Sequence, residues 1–172
     1  MRVIAGKHKS KALESLEGRN TRPTMDKVKE GIFNSLQEVH GLGLDLFAGS
    51  GALGIEALSR GMEKVIFVDQ NFKAVKVIQA NLNQLDLRDQ SEVYKNNADR
   101  ALKALKKREI QFDYIFLDPP YNKGLIDKAL EQIAEFNLLK ENGIIICEFS
   151  NHEQINTNGF KVIKQYHYGL TD

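Results

Sequence analysis

Leu44-Asp45-Leu46-Phe47-Ala48-Gly49-Ser50-Gly51-Ala52-Leu53-Gly54 runs from an apolar stretch through a glycine-rich loop into a helical pattern. Its spacing is G-x-G-x-x-G, the form taken by a loop that leaves a strand and opens a helix. The same alternation continues along the chain. Apolar strand candidates lie at residues 44–47, 65–68, 92–94, 114–117 and 144–147. Helical stretches separate them, one carrying Phe72, Val75, Ile78, Leu82 and Leu85 on a single face, another Ile126, Leu130 and Ile133. Strands that are apolar throughout, alternating with amphipathic helices, predict a mostly parallel sheet covered on both faces. Right-handed crossovers then make it a doubly wound α/β sheet.

Ligands of such a sheet bind beyond the carboxyl ends of its strands. After the first strand candidate comes the glycine loop, after the second Asp69, after the third Asp99, and after the fourth Asp118-Pro119-Pro120-Tyr121. Gly49 and Gly51 let the backbone approach a ligand closely, with Ser50 between them. Asp69, 20 residues beyond Gly49, is placed to accept hydrogen bonds from ribose hydroxyls. These features predict a nucleoside-containing cofactor, and alone they fit NAD as well as any other.

The fourth strand separates the cofactors. Pro119 and Pro120 make a rigid loop with no N–H of its own, so its carbonyls are free to accept. The Asp118 carboxylate and an adjacent carbonyl together hold the two hydrogens of an exocyclic amine, and Tyr121 offers a ring face for stacking. That suits an aryl amine, whose lone pair is conjugated into its ring. Accepting its hydrogens localises the lone pair on nitrogen and aims it at a sulfonium methyl, so the expected cofactor is S-adenosylmethionine. Orientation and electrostatics do the work, with no metal required. An NAD oxidoreductase gives no reason for this loop.

Composition bounds the rest. A chain of 172 residues with 42% hydrophobic and 27% charged residues has the size and balance of one soluble globular domain. No apolar run reaches membrane-spanning length, and the start is too short for a secretion signal. Cys147, the single cysteine, excludes an internal disulfide and points to a reducing cytoplasm. It lies in an apolar run and reads as a small core residue. His8, His40, His152 and His167 form no metal-binding spacing with it. The net charge of +1 hides an asymmetry. Residues 1–24 hold six basic residues (Arg2, Lys7, Lys9, Lys11, Arg19, Arg22) against Glu14 and Glu17, a local +4 that leaves −3 for the remainder. A basic arm on an acidic body suggests nucleic acid. Residues 2–5 and 12–16 are expected to pair as a hairpin, and Thr24 to cap a helix with Val28, Ile32, Leu36 and Val39 on its inner face. The expected organisation is an arm at 1–24 and one domain at 25–172, with a last strand candidate at 160–166.

Asp45-Leu46-Phe47-Ala48-Gly49-Ser50-Gly51, Asp69 and Asp118-Pro119-Pro120-Tyr121 resemble the Rossmann-like S-adenosylmethionine-dependent methyltransferases that modify amino groups. More narrowly, Arg2-Val3-Ile4-Ala5-Gly6, Thr21-Arg22-Pro23-Thr24 and Phe33-Asn34, placed before that loop, resemble the bacterial RsmD family, which methylates N2 of a guanine in 16S ribosomal RNA. The resemblance implies that Gly49, Ser50 and Gly51 wrap the methionine part of the cofactor, that Asp45 orders the loop, and that Asp69 binds ribose. It also implies that Asp99 lies near the adenine amine and that Asp118 through Tyr121 hold the guanine. Arg22 and Thr24 would stand at the mouth of the site, and Arg2, Lys7, Lys9 and Lys11 would grip RNA phosphates. The implied substrate is the assembled or assembling small ribosomal subunit, whose ribosomal proteins would also contact the enzyme; the chain itself is expected to be a monomer. Family members continue past the element matched by Tyr168-Gly169-Leu170-Thr171 into a final antiparallel strand, so the last sheet strand is expected to be missing here. Two rivals stay open: a DNA adenine-N6 or cytosine-N4 methyltransferase, and a catalytically inactive RNA-binding module of the same fold.

Overall fold

The computed structural model describes residues 1–16, 23–120, 124–150 and 153–167, with the side chains of 23–25 outside that set. In chain order the elements are α1 (Pro23–Leu36), β1 (Leu42–Asp45), α2 (Ala52–Ser59), β2 (Lys64–Asp69), α3 (Phe72–Gln84), β3 (Ser91–Lys95), α4 (Ala98–Lys107), β4 (Phe112–Leu117), α5 (Leu125–Glu135) and β5 (Leu139–Cys147). The five strands form one sheet in the order β3-β2-β1-β4-β5, every pair parallel. The chain starts at the centre, winds outward to β3, then returns to the other side of β1. The doubly wound α/β architecture is therefore present, with its reversal of winding between β1 and β4.

Alternate residues of the strands serve opposite faces. Val65 and Phe67 of β2 pack with Ile55, Ile78 and Leu82 from α2 and α3. Ile66 and Val68 pack with Leu102, Leu130 and Ile133 from α4 and α5. Phe67, Phe112 and Phe116 are fully buried, as their strand positions imply. The helices start on local chemistry. The Asn71 side chain accepts from the Lys73 N–H and that of Asn97 from the Arg100 N–H, each at 2.8 Å. Pro23 opens α1, where its missing N–H costs nothing.

Several expectations are corrected. Thr24 lies inside the first turn of α1 and does not precede it. That helix turns inward one residue away from the expected stripe: Lys29 and Phe33 are buried, Val28, Ile32 and Leu36 only half-buried, and Val39 lies beyond the helix end. Phe72 is 57% exposed because it stands at the first position of α3, above the sheet edge. Phe47 falls after β1, which ends at Asp45. The expected hairpin narrows to one antiparallel bridge, Arg2 with Ala12, flanked by backbone bonds Val3 N–H to Lys11 O (2.9 Å) and Leu13 N–H to Met1 O (2.9 Å). Residues 160–166 form no strand, and Val162, Ile163 and Tyr166 are exposed. β-branched and aromatic residues favour extended backbone, but a strand needs a neighbour, and no described strand pairs with the outer edge of β5.

The basic arm is tied down by one buried carboxylate. Glu56 of α2, fully buried, accepts the N–H groups of Ile4 (2.9 Å) and Ala5 (3.1 Å) and the Arg60 guanidinium (2.7 Å). Lys29 Nζ stands 3.4 Å from it and donates to the Arg2 carbonyl at 2.7 Å. Burial holds the Lys29 ammonium below its ordinary pKa, while Glu56 and Asp26 pull the other way. Ser59 adds its hydroxyl to the Ala5 carbonyl and accepts the His8 N–H.

Glu56→Ala leaves the Lys29 charge buried beside Asp26 alone. Urea denaturation should show a loss of about 3–5 kcal/mol, and the Ile4 and Ala5 amides should lose protection from hydrogen exchange. An unchanged midpoint with protected amides would show that other contacts hold the arm.

Candidate active site

The loop after β1 is fastened to both neighbouring strands. Leu46 N–H donates to the Phe116 carbonyl of β4 (3.2 Å), and Ala48 N–H to the Val68 carbonyl of β2 (3.0 Å). Asp69 then reaches across: its Oδ2 accepts the Gly49 N–H and its Oδ1 the Asn71 N–H, each at 2.9 Å. Asp45 accepts the Gly54 N–H, in the first turn of α2, at 3.0 Å. Two glycines are required by space. Gly51 has φ +84° at the entry to α2, where other residues are strained. A Cβ on Gly54 would lie 2.4 Å from the Phe67 ring, so its hydrogen lets the helix lie close on the sheet.

Register gathers the acids at one edge. Asp45 pairs with Phe67 on one side and Phe116 on the other. Asp69 and Asp118 thus stand two residues beyond the partners of Asp45, flanking the glycine loop. Asp118 is half-buried, Pro119 buried and Pro120 exposed; Tyr121 lies outside the described residues. Asp99 follows β3, further along the same edge, near the start of α4. Its carboxylate accepts from Gln132 of α5 (2.6 Å) and from Lys103 (3.1 Å). Those two bonds, Lys103 foremost, hold it below the ordinary carboxylate range. Gly49, Ser50, Gly51, Asp45 and Asp69 are thus joined directly or through one loop, and Asp118 joins them by register. Asp99 is bound to protein groups on both oxygens.

Burial pushes the Asp45 carboxyl up to about 7. The Gly54 N–H opposes this by favouring the charged form, and the nearby Asp69 charge adds to the rise. Cys147 is half-buried, and burial pushes its thiol up to about 12, the behaviour of an inert packing residue. On the arm, Arg2, Lys7, Lys9 and Lys11 are exposed. His8 beside them is held below its ordinary value, first by burial and then by Lys7 and Lys11. Arg22 lies outside the described residues, as does the Thr24 side chain. No helix among the described residues is long and apolar enough to cross a membrane.

Two polar residues that the sequence reading passed over are fully buried here, Glu56 and Asn81. Each carried a signal. Glu56 is a lone acid within the apolar helix Ala52–Ser59. Asn81 falls three residues after Ile78, on the apolar stripe of α3, where an amide needs partners.

The sequence matches the family described as Conserved hypothetical protein 95 along residues 1–172. It is 49% identical over 175 residues to YlbH of Bacillus subtilis, across 99% of this chain and 95% of that one. It is 38% identical to a Haemophilus influenzae protein named ribosomal RNA small subunit methyltransferase D, across 86% of this chain and 78% of the other. A Haemophilus influenzae crystal structure, HI0767, superposes with a TM-score of 0.77 at 32% identity, covering 98% of this chain and 92% of its own. The fold is accordingly the Rossmann-like methyltransferase fold.

The Asp45 shift has a sign that can be tested. Between its ordinary value of 3.8 and about 7, the folded protein holds a proton that the unfolded chain has released. Stability from this group therefore falls as pH rises across that window and stays lower above it. Asp45→Asn keeps an oxygen for the Gly54 N–H but cannot titrate. Thermal unfolding from pH 4 to 8 should show a flatter profile for the variant; identical profiles would remove Asp45 as the titrating group.

Proposed function

We propose that this chain, which belongs to the RsmD family of methyltransferases (Conserved hypothetical protein 95), transfers a methyl group from S-adenosylmethionine to the N2 amine of a guanine in 16S ribosomal RNA. The observation that carries this reading is the register that sets Asp118-Pro119-Pro120 beside the glycine loop, at the reversal of winding between β1 and β4.

The residues present fit S-adenosylmethionine. Loop positions 49 and 51 carry no side chain, and Asp69 makes the edge acidic, which suits a ligand bearing a sulfonium and an ammonium. Each Asp69 oxygen accepts one backbone N–H and keeps a lone pair for a ribose hydroxyl. Gly49, Ser50 and Gly51 border the amino-acid part, Asp45 fixes the loop through Gly54, and Asp99 stands toward the base. The cofactor, when bound, supplies an electrophilic methyl on sulfur. Asp118 and a neighbouring carbonyl accept the two amine hydrogens and point the nitrogen lone pair. Asp118, or water beside it, would take the one proton that the amine gives up on methylation. Pro119 and Pro120 keep that pair of acceptors rigid, and Tyr121 stacks on the guanine.

A paired guanine cannot present N2, so the base must be unpaired or turned out at a cost of a few kcal/mol. Arg2, Lys7, Lys9 and Lys11, exposed on a docked arm, offset that cost by binding phosphates, and Arg22 and Thr24 serve the same RNA. The substrate we infer is the assembled or assembling small subunit in the cytoplasm, whose ribosomal proteins the enzyme also meets as a monomer.

The decisive experiment treats small subunits lacking the modification with enzyme and labelled cofactor, then maps the methylated nucleotide. Label on duplex DNA and none on the subunit would overturn the assignment. Asp118→Ala should slow methyl transfer by about a hundredfold or more with cofactor affinity nearly unchanged; full turnover would remove Asp118 from the chemistry. Asp69→Ala should instead raise the cofactor dissociation constant. Binding to RNA should weaken with salt at a log–log slope near −3, for about four phosphates on a single strand. A flat salt response would exclude the arm as the grip.

A further inference from the structure

Asn81 of α3 has no exposed surface, and its amide is shared between two parts of the molecule with different tasks. Its Oδ1 accepts the Glu14 N–H at 2.7 Å, and its Nδ2 donates to the Glu14 carbonyl at 3.1 Å. The same Nδ2 donates to the Ser50 carbonyl at 3.1 Å. Glu14 belongs to the basic arm, and Ser50 is the middle residue of the glycine loop. The amide orientation is fixed by these partners, since two carbonyls demand the NH2 group and one N–H demands the oxygen. Asn81 thus pairs with the arm as a strand would, and spends its other hydrogen on the loop.

Sharing has an energetic consequence. A ligand that steadies the loop also steadies Asn81, and with it the backbone of Glu14; a ligand on the arm does the reverse. The second to bind then meets a partner already ordered and loses less conformational entropy. We propose that Asn81 is a positioning residue that couples the two sites, so that RNA on the arm raises cofactor affinity and the cofactor raises RNA affinity. The coupling rests on the reading of arm and loop given above. By linkage the two enhancements are one factor.

The test measures that factor. Equilibrium dialysis gives the affinity of labelled S-adenosylhomocysteine, which cannot turn over, with and without small subunits lacking the modification. For the native chain the subunits should tighten binding about tenfold, and S-adenosylhomocysteine should tighten subunit binding equally. N81D keeps an oxygen for the Glu14 N–H but sets its second oxygen against the Glu14 and Ser50 carbonyls. It should bring the factor to within about twofold of unity. E14P deletes the arm's N–H, changes an exposed position, leaves Asn81 in place, and should lower the factor in the same way. A merely structural asparagine would change both affinities and leave their ratio alone. Undiminished coupling in both variants overturns the proposal. A native factor of one, with both ligands bound, overturns it while leaving the methyltransferase assignment intact. Failure of the native chain to bind subunits at all overturns that assignment, and the coupling falls with it.

Discussion

The parallel pairing of β1 with both β2 and β4 is the constraint on which the molecule depends. A strand held on both sides cannot bend away gradually, so the chain must leave the sheet abruptly after Asp45. The buried Asp45 carboxylate meets that demand by taking the Gly54 N–H, one of the amides that the start of a helix leaves unpaired. Asp69 takes the Gly49 N–H from the neighbouring strand. Two strand-end acids thus hold one loop from either side, and α2 starts where they place it. Everything that follows α2 in space, the arm included, inherits its position from this turn.

How much of this was legible in the chain depends on whether a residue's fate is decided locally. β2 and β4 are covered on both faces, so their apolar runs announce them. The apolar run of β5 shows only from residue 144, because Lys140, Glu141 and Asn142 are polar, yet the strand begins at Leu139 and pairs Phe112 with it across an irregular register. An edge strand tolerates polar residues that a central one cannot, so its beginning carries no apolar signal. Residues 160–166 show the converse: β-branched and aromatic residues such as Val162, Ile163 and Tyr166 favour extended backbone, but pairing is a property of the neighbour. The strand-end acids were legible because the fold class itself says where ligands bind. Glu56, Lys29 and Asn81 were not, because their partners lie at Ile4, Arg2, Glu14 and Ser50, distant in sequence. A buried polar residue is explained only by what it meets.

Those three residues form the underside of the arm. Buried charges are costly unless geometry and hydrogen bonding answer them. Here Glu56 is answered by two backbone amides, a guanidinium and an ammonium, and the Arg60 guanidinium also lies 5.1 Å over the Phe33 ring. An apolar contact would hold the arm with less specificity of register, since it would not distinguish one residue's amide from the next. The ionic cluster fixes which amides of the arm meet α2.

The charge layout then becomes intelligible under the proposed function. A cationic cofactor calls for acids at the sheet edge, and a polyanionic substrate calls for the opposite. If the two fields overlapped, each would weaken the other, because exposed charges act over roughly 8 Å at physiological salt. The fold resolves this by burying Asp45 and tying Asp69 into backbone bonds, while Lys7, Lys9 and Lys11 project from a separate arm. Separation alone would leave the two sites indifferent to one another, and a transfer reaction needs both occupied together. A neutral, buried amide at Asn81 is the kind of link that joins them without merging their fields: it carries geometry and order between the arm and the loop, and no charge.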